Sequence, residues 1–233
     1  MAAINLFLNH AKDEELIRIR EYAEHIGCIT LPYGTDIPEL KELPQAVFVS
    51  GQTLPSDLAQ KHPYASAVFS NHPLDCDLPN IQCNTDGKYC CLCLSPPDQK
   101  HFTPSGLTEV WVEEAKQLLR SHSPETVTVE LFAGAYDVPF PYDGSYETLS
   151  ISQALALAKN HGSLLLTNKY SYYSYFIYQK ENRHHIVFVA TESGLKELIK
   201  RFEKLGIKRF AGHSAEFLDE AMLPLLSFFR KYP

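Results

Sequence analysis

The sequence predicts an α/β protein, with a Rossmann-like, mostly parallel sheet in its N-terminal half and a mixed α+β C-terminal half. Three observations carry that expectation. Between Ile4 and Leu94, short β-rich apolar runs alternate with helical stretches. Those runs are four to six residues long, which suits strands buried on both faces. Beyond Pro124 the rhythm changes, and a strand pair flanking Lys180–Arg183 has the look of an antiparallel hairpin.

Ile4–Leu8 is the first expected strand. Asp13–Ile26 follows as a helix, with Leu16, Ile17, Ile19, Tyr22, Ala23 and Ile26 near helical spacing, Asp13 as its cap and Gly27 just past its end. Cys28–Leu31 is a strand, Ile37–Leu43 a short helix, Ala46–Val49 a strand and Ser56–Lys61 a single helical turn. Ala65–Phe69 and Tyr89–Leu94 are the fourth and fifth strands. Leu74–Gly87, rich in Pro, Asp and Asn, is expected to be a surface loop or short hairpin, and Ser95–Ser105 a second loop. Thr108–Ser121 reads as a helix with Trp111, Ala115 and Leu118 facing inward.

Ser121-His122-Ser123-Pro124 is the expected boundary, dividing a Rossmann-like domain at 1–122 from an α+β domain or extension at 123–233. In the second part the expected elements are a strand at Thr126–Phe132, a helix at Ser150–Asn160 and a strand at Ser163–Thr167. The hairpin of Tyr170–Gln179 and His184–Ala190 follows. A helix at Glu192–Leu205, a strand at Ile207–Phe210 and a final helix at Phe217–Phe229 complete the chain. The acidic stretch holding Asp137, Asp143 and Glu147 reads as a solvated connection.

The 233 residues are 45% hydrophobic and 21% charged, so a buried core is expected. A net charge of -7 argues against wrapping by nucleic acid or adhesion to an anionic membrane. No apolar run reaches the roughly 20 residues of a membrane-spanning helix, and the first residues lack a basic signal region. The cytoplasm is the expected compartment, and the six cysteines are expected to be reduced thiols.

Three predicted strands end in small hydrogen-bonding groups: Asn9-His10, Ser50-Gly51-Gln52 and Ser70-Asn71-His72. In an open parallel sheet these ends share one edge, where ligands bind near the point at which strand order reverses. Polar loop starts are also common simply because loops are wet. The expected ligand-binding set is therefore Asn9, His10, Ser50, Gly51, Gln52, Ser70, Asn71 and His72, engaging a small, polar, nucleotide-like ligand. Alternatives are a hydrolase or phosphodiesterase-like nuclease using His10 or His72, and a protein interaction module built on the tyrosine-rich hairpin. No cofactor is indicated by sequence, and a homodimer is a possible assembly.

Cys76, Cys83, Cys90, Cys91 and Cys93 fall close together, with His72 and His101 on either side. Their spacing matches no recognised zinc pattern, so no metal site is assigned and small buried hydrophobes are the plainer reading. On a strand, Cys91 and Cys93 share one face and Cys90 the other. Gly212-His213-Ser214, expected between a strand and a helix, offers amides for an anion, or a helix cap.

Overall fold

The computed structural model describes residues 2–8, 13–35, 37–49, 62–71, 74, 78–82, 88–94, 104–167 and 172–229. Eight strands form one closed, all-parallel barrel: β1 (Ala3–Phe7), β2 (Ile26–Pro32), β3 (Gln45–Val49), β4 (Ala65–Ser70), β5 (Asn80–Gln82), β6 (Tyr89–Cys93), β7 (Val127–Glu130) and β12 (Arg209–His213). The first seven pair in sequence order. β12 closes the ring between β7 and β1, with Ala3 opposite Arg209 and Phe7 opposite His213.

The sheet is therefore not the open, Rossmann-like one expected. Alternating strands and helices and doubly buried strands are common to both architectures. What separates them is the pairing of β1 with a strand some two hundred residues later, which no local pattern announces. Closure removes both edges and the reversal point on which the expected nucleotide site depended.

Each strand presents two rows. The outward rows, including Ile4, Leu6, Ile29, Leu31, Val127, Val129 and Phe210, pack into the main core. Their partners come from α1 (Asp13–Glu21), α2 (Pro104–Leu118), α4 (Glu192–Lys204), and the short α5 (Ser214–Phe217) and α6 (Leu223–Leu226). From α4, Leu195, Leu198, Ile199 and Phe202 are fully buried; each contributes about 1.5–3 kcal/mol by leaving water. The inward rows are smaller. Phe7, Ala46, Phe69, Cys91 and Ala211 form a separate cluster, joined by Cys28, Phe48, Ala67 and Ile81. Because alanine and cysteine replace the bulky residues usual inside such barrels, a cavity of about 250 Å³ remains around Cys28, Ala46, Ala67 and Thr128.

Between β7 and β12 the chain leaves the barrel to build a four-stranded antiparallel sheet, in the order β10 (Tyr173–Lys180), β11 (Arg183–Ala190), β8 (Ala135–Phe140), β9 (Glu147–Leu149). The expected hairpin is present, turning through Glu181 and Asn182 at φ 49° and 62°, the left-handed conformation that tight hairpin turns require. Its tyrosines are largely internal: Tyr173 and Tyr178 are buried with Phe176, while Ile177 is exposed. α3 (Ile151–Asn160) opens with a capping box between Ser150 and Gln153.

Several local expectations are overruled by packing. The first helix stops at Glu21, because Ile26 and Gly27 belong to β2, where Ile26 sits opposite Ile4. A Cβ on Gly27 would lie 3.2 Å from the Ile4 carbonyl oxygen, so strand proximity, not a helix end, explains the glycine. The loop expected at 74–87 contains β5, only three residues long. Only a 3-10 turn, Pro38–Leu40, stands for the helix at 37–43, and two short helices, α5 and α6, stand for the one at 217–229. At 163–167 a single bridge joins Leu166 to Tyr175. The acidic stretch expected to be solvated includes β8 and β9, and buried Asp137 accepts hydrogen bonds from the Tyr178 hydroxyl (2.6 Å) and His185 Nδ1 (2.9 Å).

Gly212 tests the closing strand. A Cβ there would fall 2.2 Å from the buried ring of Phe217. Gly212→Ala is expected to cost about 1–3 kcal/mol by overpacking in urea denaturation. Adding Phe217→Leu should recover part of that loss, giving a non-zero coupling in the double-mutant cycle.

Candidate functional site

In a closed parallel barrel the C-terminal strand ends gather at one mouth, and the connecting loops surround it. A cavity of about 290 Å³ opens there. Phe7, Pro32 and Phe48 supply its apolar wall, from the ends of β1, β2 and β3. Thr30, Asn71, Cys93, Glu130 and His213 supply polar groups from β2, the residue after β4, and the ends of β6, β7 and β12.

Register explains the grouping. Cys93 lies opposite Glu130, and Glu130 opposite Ala211, so His213 is two residues further along the same face of β12. The Cys93 thiol donates to Glu130 Oε2 at 3.0 Å, and His213 Nε2 lies 3.5 Å from Glu130 Oε1. The Phe7 ring packs 5.2 Å from Phe69, edge to face, and 5.7 Å from the His213 imidazole. Below them the Asn5 amide and Thr30 hydroxyl satisfy each other inside the barrel, at 2.8 and 3.0 Å.

The charges at this mouth are matched to one another. Burial works against ionisation of Glu130, but hydrogen bonds from His213 and Cys93, with the His213 charge, outweigh it and hold the carboxyl below its usual range. The hydrogen bond to Glu130 raises His213 above 6.5 against the effect of burial, helped by the charges of Glu216 and Glu130. Glu216, on α5, is pushed the other way from Glu130: burial raises it, although the Ala133 backbone N–H donates to its Oε2 at 2.9 Å. Glu216 faces a neighbouring cavity of about 190 Å³, bounded by Phe132, Ser150 and Asp219.

Of the ligand-binding residues expected from sequence, Ser70 and Asn71 are described. Ser70 is fully buried and its hydroxyl donates to Asn80 Oδ1 at 2.8 Å, while Asn71 lines the mouth. Asn9, His10, Ser50, Gly51, Gln52 and His72 lie outside the described residues, as do Cys76, Cys83, His101 and the helical turn expected at 56–61. Glu130 was missed altogether, and His213 was noted only for its neighbouring amides. Each is the polar inward residue at the end of an apolar strand, the one signal that would have found them. Ser214 does not cap its helix: it is the first residue of α5, and its hydroxyl points to Glu15 Oε1 at 3.4 Å.

No protein-family description and no curated protein matches this sequence. Solved structures do match. The spore cortex-lytic enzyme SleL of Bacillus megaterium QM B1551 superposes with a TM-score of 0.69 at 10% identity, over 99% of this chain and 75% of that one. A chitinase from Chromobacterium violaceum ATCC 12472 gives 0.64 at 9% identity, over 97% and 98%. A glycoside hydrolase family 18 N-acetylglucosaminidase from Paenibacillus barengoltzii gives 0.59 at 8% identity, over 97% and 99%. The chain shares the fold of glycoside hydrolase barrels.

That likeness, with the closed barrel, overturns the nucleotide-binding reading and the nucleotide partner expected with it. The hydrolase alternative agrees with these structures only at the level of reaction class, since they are named for glycan chemistry and not for phosphodiester chemistry. Among the described residues, no helix is long and apolar enough to cross a membrane.

The Glu130–His213 pair has a checkable consequence. By NMR titration, His213 should titrate above 6.5, and its midpoint should fall in Glu130→Gln. A histidine whose folded value is raised adds stability that is complete below its unfolded value and is lost as pH rises through the raised midpoint. The stability difference between the two proteins should therefore shrink over that interval.

Proposed function

We propose that the barrel mouth binds a glycan built of N-acetylated amino sugars. The observation that carries this reading is the composition of the mouth cavity: two phenylalanine rings beside Thr30, Asn71, Glu130 and His213. A pyranose ring has an apolar face and an equator of hydroxyls, so flat apolar walls with a few fixed polar groups suit it. The names of the similar structures, a chitinase and an N-acetylglucosaminidase among them, support the choice of sugar.

Binding without cleavage is the primary reading. The inward row at β4 runs Ala67, Phe69, Asn71 and offers no carboxylate, and Glu130 is the one carboxylate lining the cavity among the described residues. Hydrolysis of the same glycan is the second reading, favoured by a specific feature. Glu216 borders the neighbouring cavity, close enough for its charge to act on Glu130 and His213. Burial raises its carboxyl while that of Glu130 is lowered, an opposed displacement of the kind that separates acid from base roles.

Calorimetric titration with N-acetylglucosamine oligomers tests both. The expected result is saturable binding, weakened about tenfold or more by Phe7→Ala and by Phe48→Ala, a loss of about 1.4 kcal/mol each. Unchanged oligomers after prolonged incubation would support binding alone. Shorter products that vanish in Glu216→Gln would establish hydrolysis, and absence of any binding would sink the glycan reading.

A further inference from the structure

We propose that Cys91, Cys93 and Glu130 form a site for a thiophilic divalent cation of the zinc type, with His213 as its fourth ligand. The sulfurs of Cys91 and Cys93 and a carboxylate oxygen of Glu130 all lie within 4.8 Å of one another. His213 Nε2 is 3.5 Å from Glu130 Oε1 but lies outside that 4.8 Å group, so its imidazole must turn toward the thiols to complete the set. A tetrahedral zinc ion with bonds of about 2.0–2.3 Å sets its ligand atoms about 3.3–3.7 Å apart, so the Glu130–His213 distance already fits. The Cys93–Glu130 separation of 3.0 Å must open by roughly half an ångström, a small rotation of two side chains at the mouth.

The donor set matches the cation's chemistry. Two soft thiolates and a borderline imidazole, beside one hard carboxylate, favour zinc over magnesium or calcium, which prefer all-oxygen shells. The supply of ligands by three adjacent strands of a rigid barrel suits a fixed tetrahedral site. Cys91 is buried and Cys93 exposed, so one thiol anchors the ion from inside while the other closes the site toward the cavity. Cys90, on the opposite face of the same strand, sits in the outer core, where burial raises its thiol to about 11 and it takes no part. Binding replaces two S–H bonds by two metal–sulfur bonds and releases those two protons to solvent, with a third from the His213 imidazolium where that ring is charged. Neither the site nor its test depends on the glycan reading.

The test uses the full chain, stripped with a chelator and titrated with Co²⁺, then Zn²⁺. The expected result is one equivalent of Co²⁺ with thiolate-to-cobalt charge-transfer absorption, displaced by Zn²⁺, and a rise in melting temperature with Zn²⁺. Cys93→Ser, at an exposed position, should abolish the absorption and the thermal shift, while Cys90→Ala keeps both. Glu130→Gln should weaken Zn²⁺ binding by more than the roughly 10–100-fold that loss of an outer-shell partner costs. Absence of the absorption at excess Co²⁺ would overturn the proposal. So would absorption that persists in Cys93→Ser and disappears only on substitution of Cys76 or Cys83.

Discussion

Insertion of Arg209–His213 between Ala3–Phe7 and Val127–Glu130 is the pairing on which the molecule depends. It turns seven strands that pair in sequence order into a ring, so the barrel itself has no edge strand. The same pairing fixes chemistry. Strand side chains alternate with a period of two, so a one-residue slip of β12 would turn His213 outward and bring Gly212 to the mouth. Gly212 instead lies beneath the Phe217 ring, close enough that even a methyl group clashes. Register at the closing strand is thus enforced by packing on the outer face and expressed as a Glu130–His213 pair on the inner one.

Closure is costly because the two strands that clasp β12 are far from it in the chain. The segment between β7 and β12 reduces that difficulty by holding its own ends. Leu131 N–H continues the barrel pairing to the Ala211 carbonyl at 2.8 Å, and the Ala190 N–H reaches the Gly134 carbonyl at 2.9 Å. The buried Tyr173 hydroxyl donates to the Phe132 carbonyl at 2.6 Å, and Glu216 takes the Ala133 N–H. Residues 131–134, which follow Glu130 directly, are therefore tied to both the antiparallel sheet and α5. The carboxylate at the mouth is positioned by a strand held at both ends, the condition for a preorganised site.

Legibility from sequence follows the range of the interactions. The β10–β11 hairpin, α3 and α4 are set by contacts within a few residues, and their signals are local: a two-residue turn, a Ser–Gln capping box, and Leu195, Leu198, Ile199 and Phe202 on one face. β5 is three residues long and held by neighbours on both sides, so it carries no periodic pattern of its own. The first helix ends early for a similar reason. Tyr22, Ala23 and Ile26 continue a helical rhythm, but pairing of Ile26 with Ile4 outweighs the weak preference of a few residues for helix. The mouth was least legible. Asn71 could be read as a strand-end polar group, but Glu130 and His213 are 83 positions apart and meet only when the ring closes.

The inward rows join these strands of argument. Alternation places Cys91 and Cys93 on the face opposite Cys90, as strand geometry alone requires, but the face becomes a barrel interior only through β12. Filling that interior with Ala46, Ala67, Ala211 and cysteines sacrifices buried apolar area that larger residues would supply, at about 25 cal/mol per Å². The outer shell compensates, since the helices and the strands' outward rows form one continuous core. What the small inner residues leave is room: a cavity low in the barrel and, above it, a mouth where a thiol, a carboxylate and an imidazole approach without a bulky side chain between them. Stability is thus carried on the outside of the ring and chemistry on the inside.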